Sequence, residues 1–128
     1  TRSINCKRIS VDTLAALTLQ FPDAIQRREV VLELFEAAST GGATSIITDE
    51  IRESETKPIM LEEYLADGLV VLRSSQVERK QVRVVEVEKI KASAIDDQMR
   101  PYVLDKDGFS VLSDKDIFTY AARILLKK

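Results

Sequence analysis

The sequence predicts an α/β fold with one mixed sheet, in which parallel strands come first and antiparallel strands follow. Three observations predict it: a strand–helix–strand unit near the N-terminus, a hairpin near the C-terminus and an apolar-striped terminal helix. The chain has 128 residues, a length that fits one domain. Hydrophobic residues make up 45% of it and charged residues 31%, as in globular proteins. We therefore expect residues 1–128 to form a single domain.

The first part of the chain predicts the strand–helix–strand unit. Residues 7–12 and 44–48 are short segments rich in β-branched residues, as in buried strands. Between them, Asp23 is a candidate N-cap for a helix over 24–38, whose apolar stripe consists of Val31, Leu34, Phe35 and Ala38. Crossovers of this kind are right-handed in ~98% of cases and join parallel strands. The two strands are therefore predicted to be parallel.

The later part of the chain predicts mainly antiparallel strands. An exposed loop over 52–57 and a short helical turn within 58–66 lead to strands over 69–72 and 82–90. Two apolar segments that flank 105–108 indicate a hairpin, and apolar residues at helical spacing predict a final helix from residue 117. The two faces of a parallel sheet are normally covered by helices, and the two long helices predicted here would cover only a small part of them. We therefore expect the chain to oligomerise or to be covered by a further segment.

Composition excludes several function classes. The chain has no His, which rules out imidazole metal sites and triads, and its single Cys6 rules out an internal disulfide or a thiolate zinc cluster. Four glycines are too few and too scattered for either common Gly-rich phosphate loop. A net charge of −2 is unlike a general nucleic-acid binder. Without a membrane-length apolar stretch or a secretory signal, a cytoplasmic location is expected.

Acidic residues end both predicted parallel strands. Asp12 ends the first strand, and Asp49 and Glu50 end the second. The carboxyl ends of adjacent parallel strands converge where ligands bind in α/β folds, and carboxylate oxygens are ligands that Mg²⁺ prefers. The alternative is that each acid is a solvated strand end or a helix cap.

A second candidate site follows the long predicted strand, which carries a basic series: Arg79, Lys80, Arg83, Lys89 and Lys91. Lys89 and Lys91 are two residues apart, so both side chains point to one face, where they can meet a phosphate. The alternative is a solvated strand face. The neighbouring pair Glu62 and Glu63 can line a site or belong to a solvated helical turn, and Asp67 with Gly68 indicates a turn.

In five segments, in the same order, the chain resembles KaiC-like ATPases of the RecA superfamily. Residues 7–14 look like the Walker B strand, and residues 24–50 look like the helix and sensor strand that follow it. Ala66 to Leu72 resembles the family's "aDGvi.L" segment. Residues 79–91 resemble the strand that ends in Lys-Met-Arg, and 102–111 the closing hairpin. The resemblance covers residues 7–112 and implies a partial RecA-like core.

The resemblance also implies roles for individual residues. KaiC-like proteins bind ATP between neighbouring subunits and usually form hexameric rings. Asp12 matches the Walker B acid that holds Mg²⁺, and Thr13 matches the small hydroxyl residue beside it. Asp49 and Glu50 fall where the family has polar sensor residues. Lys89 and Lys91 match the pair that reaches the neighbouring subunit's γ-phosphate in trans, where cations stabilise developing charge.

The chain departs from the family at several positions. Lys91 stands where the family has Arg, and a Lys cannot make the planar bidentate contact. Ala92 replaces a Gly, and a His common shortly afterwards is absent. In the family, the phosphate loop and the catalytic Glu precede the segment that matches the start of this chain. We therefore expect a C-terminal fragment of an ATPase that uses ATP and Mg²⁺ when intact, the fragment itself being inactive and without cofactor.

Two other functions stay open. One is a non-catalytic paralogue that acts as a subunit-docking module. The other is a small Mg²⁺-dependent nuclease built on Asp12, Asp49 and Glu50. The expected partners are a second copy of the chain or an intact ATPase subunit, with no membrane partner. Nucleic acid stays open as a partner but is not indicated.

Overall fold

A computed structural model describes residues 6–50, 60–77 and 79–126, so the loop expected over 52–57 lies outside the described residues. The chain divides into two compact units, Thr1–Ala66 and Asp67–Lys128. The first unit contains a parallel pair of strands and the second an antiparallel four-stranded sheet. The predicted α/β class, with parallel strands before antiparallel ones, is therefore confirmed. The two kinds of strand lie in two sheets in the described part of the chain, and the assignment to one domain stays a prediction.

The first unit is the predicted strand–helix–strand arrangement. Strand β1 (Arg8–Val11) pairs in parallel with β2 (Thr44–Ile47), with Arg8 opposite Thr44 and Val11 opposite Ile47. Between the strands lie α1 (Leu14–Thr18) and α2 (Ala24–Thr40), and α3 (Leu61–Leu65) follows. Helix α1 was not predicted, whereas α3 confirms the helical turn expected within 58–66.

Helix α2 begins and packs as its sequence predicts. The Asp23 carboxylate accepts hydrogen bonds from the amides of Ile25 (2.9 Å) and Gln26 (3.0 Å), as an N-cap does. The predicted stripe faces inward, with Val31 buried and Leu34, Phe35 and Ala38 half-buried. The helix ends at Gly41, and Gly42 takes a positive φ of 63°, a conformation that glycine adopts at little cost. Helix α2 therefore covers β2 and α3 with its apolar side.

The parallel pair is covered unequally on its two faces. Leu14, which follows β1, is only 2% exposed and is the most buried residue of this unit. Ile46 of β2 points to the opposite face from Ile47 and is 66% exposed. Because parallel sheets normally have both faces covered, this face is incomplete in the described residues.

The second unit is an antiparallel sheet in the order β3-β4-β5-β6, followed by helix α4. The strands are β3 (Gly68–Val77), β4 (Lys80–Ile90), β5 (Arg100–Asp105) and β6 (Gly108–Val111), and α4 spans Ile117–Leu126. The hairpin between β5 and β6 was predicted. Strand β3 extends five residues beyond its predicted end at Leu72. The described residues contain no helix that is long and apolar enough to cross a membrane.

The two faces of this sheet differ in cover. On one face Val71, Val82 and Val84 are buried. Lys80 alternates onto this same face and donates from Nζ to the carbonyl of Ile124, so α4 covers it. The opposite face, here called the apolar face, carries side chains that are 43–58% exposed: Val70, Leu72, Leu104, Phe109 and Val111. The pairing register places the buried Val85 and Tyr102 and the charged Arg83 and Arg100 on the same face.

Candidate functional site

Asp12 lies directly after β1, and the end of β2 fixes its position. The amide of Thr48 donates to the carbonyl of Val11 (3.0 Å), and the carbonyl of Thr48 accepts from the amide of Leu14 (2.8 Å). The hydroxyl of Thr48 donates to Oδ1 of Asp12. Main chain and side chain of Thr48 therefore hold the exposed Asp12 carboxylate at the carboxyl edge of the parallel pair, where the sequence predicts a ligand-facing acid.

Thr13 continues this edge as the N-cap of α1. Its hydroxyl oxygen accepts a hydrogen bond from the amide of Ala16 (3.3 Å), and the peptide bond that joins it to Asp12 is cis. Because a threonine hydroxyl both donates and accepts, the hydroxyl hydrogen stays available to a ligand. Thr13 therefore combines a local capping role with the position that the resemblance gives it beside the metal-binding acid.

Asp49 and Glu50 follow β2 and are both exposed. The Asp49 carboxylate accepts a hydrogen bond from the amide of Glu50 (2.9 Å). Asp49 also lies beside Glu62 of α3: burial raises the pKa of the Glu62 carboxyl, and the charge of Asp49 and a hydrogen bond to it raise that pKa further. Asp49 therefore lies beside Glu62, for which the sequence left two interpretations open: a residue that lines a site, or part of a solvated helical turn.

The acids do not assemble into a multi-carboxylate metal centre. Residues 6–50, 60–77 and 79–126 contain no group of three or more His, Cys, Asp or Glu side chains that could hold a metal ion. A nuclease site made by Asp12, Asp49 and Glu50 together therefore has no support in the described part of the chain.

Asp12 alone does fit a hydrated Mg²⁺ ion. Oδ1 accepts the hydrogen bond from Thr48, and the second carboxylate oxygen has no hydrogen-bond partner among the described residues. Mg²⁺ usually keeps several waters and is bound by one or two carboxylates together with substrate phosphates. A single exposed carboxylate can therefore contribute one ligand to a Mg²⁺ ion that also binds nucleotide phosphates.

The second group of site residues lies at the end of β4, where a β-bulge sets its orientation. Val70 lies opposite Val87 and Leu69 opposite Lys89, so Glu88 is an extra residue on β4. Without the bulge, Lys89 would share a face with Val87, two residues before it. The bulge instead places Lys89 opposite Leu69, and bulges commonly redirect side chains next to active sites.

The bulge is itself held by ion pairs from the neighbouring strand. Arg73 of β3 donates to Glu86 and, at 3.1 Å, to Glu88, the extra residue. Both bonds raise the pKa of Arg73 above its already high ordinary value, and the bond to Glu86 has the larger effect. The contacts tie the bulged residue to β3 beside the register shift that precedes Lys89 and Lys91.

Lys91 immediately follows β4 and contacts Asp67, which precedes β3. The amide of Lys91 donates to the Asp67 carbonyl (2.7 Å), and Nζ lies 2.8 Å from Oδ1 of the Asp67 carboxylate. The hydrogen bond from Lys91, then its charge and that of Lys89, lower the pKa of Asp67. Lys89 and Lys91 therefore lie with Asp67 at one end of the β3–β4 hairpin.

Sequence reasoning missed two residues of these groups. Thr48 was assigned only to the second strand, and Asp67 only to a turn. The usable signals were a hydroxyl residue at the end of a predicted parallel strand and an acid 24 positions before a candidate phosphate-binding lysine. The site residues also divide between the units: Asp12, Thr13, Asp49 and Glu50 belong to the first, and Lys89 and Lys91 to the second.

Comparison with known proteins identifies the class as an ATPase domain of RecA-like type. The family described as "ATPase: KaiC" matches residues 1–116. The chain belongs to the KaiC family of ATPases, and the resemblance seen in the sequence is thereby confirmed.

Individual relatives agree with this assignment. The chain is 29% identical over 109 residues to the circadian clock protein KaiC2 of Synechocystis sp., covering 85% of this chain and 19% of the relative. It is 28% identical over 114 residues to the circadian clock oscillator protein KaiC of Parathermosynechococcus lividus, covering 86% and 21%. The chain thus spans about a fifth of the length of these curated relatives.

A solved structure shows the same fold. The crystal structure of a KaiC-like protein from Pyrococcus horikoshii superposes with a TM-score of 0.75 at 25% sequence identity. The match covers 86% of this chain and 48% of that protein. The α/β architecture described above is therefore part of a KaiC-like fold.

Proposed function

We propose that this chain supplies two parts of a KaiC-type ATP site: the metal-side acid and the cations that act on a neighbouring subunit's nucleotide. The observation that carries the proposal is the Asp12 carboxylate, which Thr48 holds at the carboxyl edge of the parallel pair and whose second oxygen has no hydrogen-bond partner in the described part of the chain. Membership of an ATPase family supports the choice of ATP as that ligand.

In this proposal, Asp12 binds Mg²⁺ together with the nucleotide phosphates, and Thr13 lies beside the bound phosphates. When bound, Mg²⁺ neutralises charge on the β- and γ-phosphates during phosphoryl transfer. Asp49 and Glu50 form the polar wall after β2. Asp12 is thus a binding residue that sets the position of the nucleotide relative to the parallel strands.

Lys89 and Lys91 act on the nucleotide of an adjacent subunit. Cations placed on the transferred phosphoryl group stabilise its transition state. As ammonium groups they supply point charges rather than the bidentate contact of an Arg, so we expect a smaller rate enhancement than from the family's Lys-Arg pair. The 128 residues alone do not hydrolyse ATP, because they contain no Gly-rich loop to cradle the phosphates.

Paramagnetic line broadening tests the role of Asp12. Mn²⁺ and ATP in large excess over the isotopically labelled chain populate weak binding even without a phosphate loop. They should selectively broaden the amide signals of Asp12, Thr13 and Thr48, and Asp12→Asn should abolish this. Asp23→Asn is the matched control, since Asp23 is also an exposed carboxylate but caps α2. Broadening that survives Asp12→Asn, or that is equally strong around Asp23, contradicts the proposal.

A docking function is a second candidate, and the apolar face favours it. Five apolar side chains of an antiparallel sheet are 43–58% exposed there, and exposed apolar surface of this kind can mark an interaction site. The occupant we propose is an intact KaiC-type ATPase chain. Membership of the KaiC family of ATPases supports this choice.

Sedimentation velocity tests the docking function. The chain mixed with an intact KaiC-family ATPase should form a heavier complex, and Leu72→Thr should weaken it about tenfold through lost apolar burial. Leu126→Thr is the control, because Leu126 is also an exposed leucine, at 83% against 55% for Leu72, but belongs to α4. If the chain alone sediments as an oligomer that Leu72→Thr disrupts, a second copy occupies the face instead.

A further inference from the structure

The contact between Asp67 and Lys91 is the feature that the proposed function leaves unused. Both side chains are strongly solvent-exposed, at 85% for Asp67 and 54% for Lys91, yet Nζ and Oδ1 lie 2.8 Å apart. The main chain brings them together, because the Lys91 amide donates to the Asp67 carbonyl at 2.7 Å and Gly68 lies opposite Ile90. The pair is therefore built into the hairpin register rather than formed by two free side chains.

The structure assigns Asp67 as a positioning residue for Lys91: its carboxylate holds the Lys91 ammonium at the end of β4 until a phosphate of the neighbouring nucleotide replaces it. This inference rests on the proposed function, because it takes Lys91 as a phosphate-binding cation. The carboxylate and the phosphate both accept hydrogen bonds through anionic oxygens, so they compete for the same ammonium group of Lys91.

Charge and exposure make the exchange feasible. The lysines keep the pKa of Asp67 below its ordinary value, so its carboxylate is ionised throughout the neutral pH range. Lys89 also contributes to this effect, so one carboxylate faces two cations. An exposed ion pair of this kind is worth little and is screened by salt, which allows a multiply charged phosphate to displace the carboxylate.

Tripolyphosphate binding at low ionic strength tests the inference. Amide shifts of residues 89–92 in the 128-residue chain report occupancy of the site by this probe. Asp67→Asn should tighten binding about two- to fivefold, because the competing carboxylate is gone while exposed ion pairs contribute only modestly. Asp67→Glu, which restores the charge on a longer side chain, should return the affinity towards that of the original chain.

Controls separate this effect from net charge and from folding. Asp107→Asn changes the net charge equally, but it alters an exposed acid in the β5–β6 turn that lies 3.9 Å from Lys106. It should leave the affinity unchanged. Hydrogen exchange of the Lys91 amide, whose bond is to the Asp67 carbonyl, should stay slow in Asp67→Asn if the hairpin register is intact.

The outcomes distinguish the inference from the function on which it rests. If Lys91→Met abolishes tripolyphosphate binding but Asp67→Asn leaves it unchanged or weaker, the positioning role is overturned and the phosphate role of Lys91 stands. If Lys91→Met leaves binding unchanged, the phosphate role itself fails. If Asp107→Asn tightens binding as much as Asp67→Asn, the effect is only one of net charge and the positioning role is overturned.

Discussion

Ala92, directly after Lys91, has a left-handed backbone conformation with φ 57°. The family has glycine at this place in the Lys-Met-Arg-Gly segment that the chain resembles. A residue with a Cβ atom is disfavoured there by about 1–2 kcal/mol, because Cβ approaches the following carbonyl. The perturbation that exposes this cost is Ala92→Gly.

The expected gain is the difference between two opposing effects. Ala92→Gly removes the steric cost, about 1–2 kcal/mol, but the freer unfolded chain offsets about 0.4–1 kcal/mol of it. The net increase in the free energy of unfolding is therefore about 0.5–1 kcal/mol. With a urea dependence of about 1–3 kcal/mol per molar, the midpoint of unfolding should rise by about 0.2–1 M.

Urea unfolding followed by far-ultraviolet circular dichroism measures this shift. Ala94→Gly is the matched control, because Ala94 lies in the same connection but outside the left-handed region. It should lower stability by about 0.4–1 kcal/mol, since only the unfolded-state effect remains. The steric cost at Ala92 is contradicted if the Ala92→Gly chain is no more stable than the original chain. It is also contradicted if Ala94→Gly raises the free energy of unfolding as much as Ala92→Gly does.

Three further predictions concern the first unit. Thr48→Val should lower the free energy of unfolding by about 1 kcal/mol, measured in urea, because it removes the donor to Asp12; no loss contradicts the contact. Leu14→Ala, at a site 2% exposed, should lower it by about 2–4 kcal/mol, and a loss below 1 kcal/mol would contradict the burial. Burial, and then the charge of Asp49, raise the pKa of the Glu62 carboxyl in the folded chain. The contribution of Glu62 to stability is therefore fully present below the pKa that it has in the unfolded chain, and it is lost as the pH rises through the pKa that it has in the folded chain. Glu62→Gln should therefore stabilise the chain by about 0.5 kcal/mol at pH 7 and by nothing at pH 4, and an equal effect at both would contradict this.

The strand–helix–strand unit was predictable because its signals are local. Asp23 provides a cap, the stripe of α2 repeats at helical spacing, and β-branched residues mark β1 and β2. Each of these patterns depends on neighbours within one or two turns, which the sequence displays directly. Asp12 could be placed at a strand end for the same reason.

The missed parts depend on partners that are far apart in sequence. Residues 73–76 read as polar, yet they belong to β3 because the strand pairs with β4 along its whole length, with Gln76 opposite Gln81. Backbone pairing of this kind does not require apolar side chains. Helix α1, with five residues, is too short to show a helical period.

The orientation of the candidate lysines was the least predictable feature of the site. The spacing of Lys89 and Lys91 placed both on one face, but which face depends on the bulge at Glu88. The extra residue Glu88 in turn contacts Arg73, 15 residues earlier in the chain. Likewise, the contact of Lys91 with Asp67 follows from the register of the hairpin, which no local pattern shows.

ATP hydrolysis by a mixture of this chain with an intact KaiC-family ATPase tests whether Lys89 and Lys91 act on a neighbouring subunit's nucleotide. We expect no phosphate release by the 128-residue chain alone, and faster release by the mixture than by the intact ATPase. The Lys89→Met/Lys91→Met double variant should lose that increase while still forming the complex. Phosphate release by the chain alone, the absence of any increase, or an equal increase with the double variant would contradict this expectation.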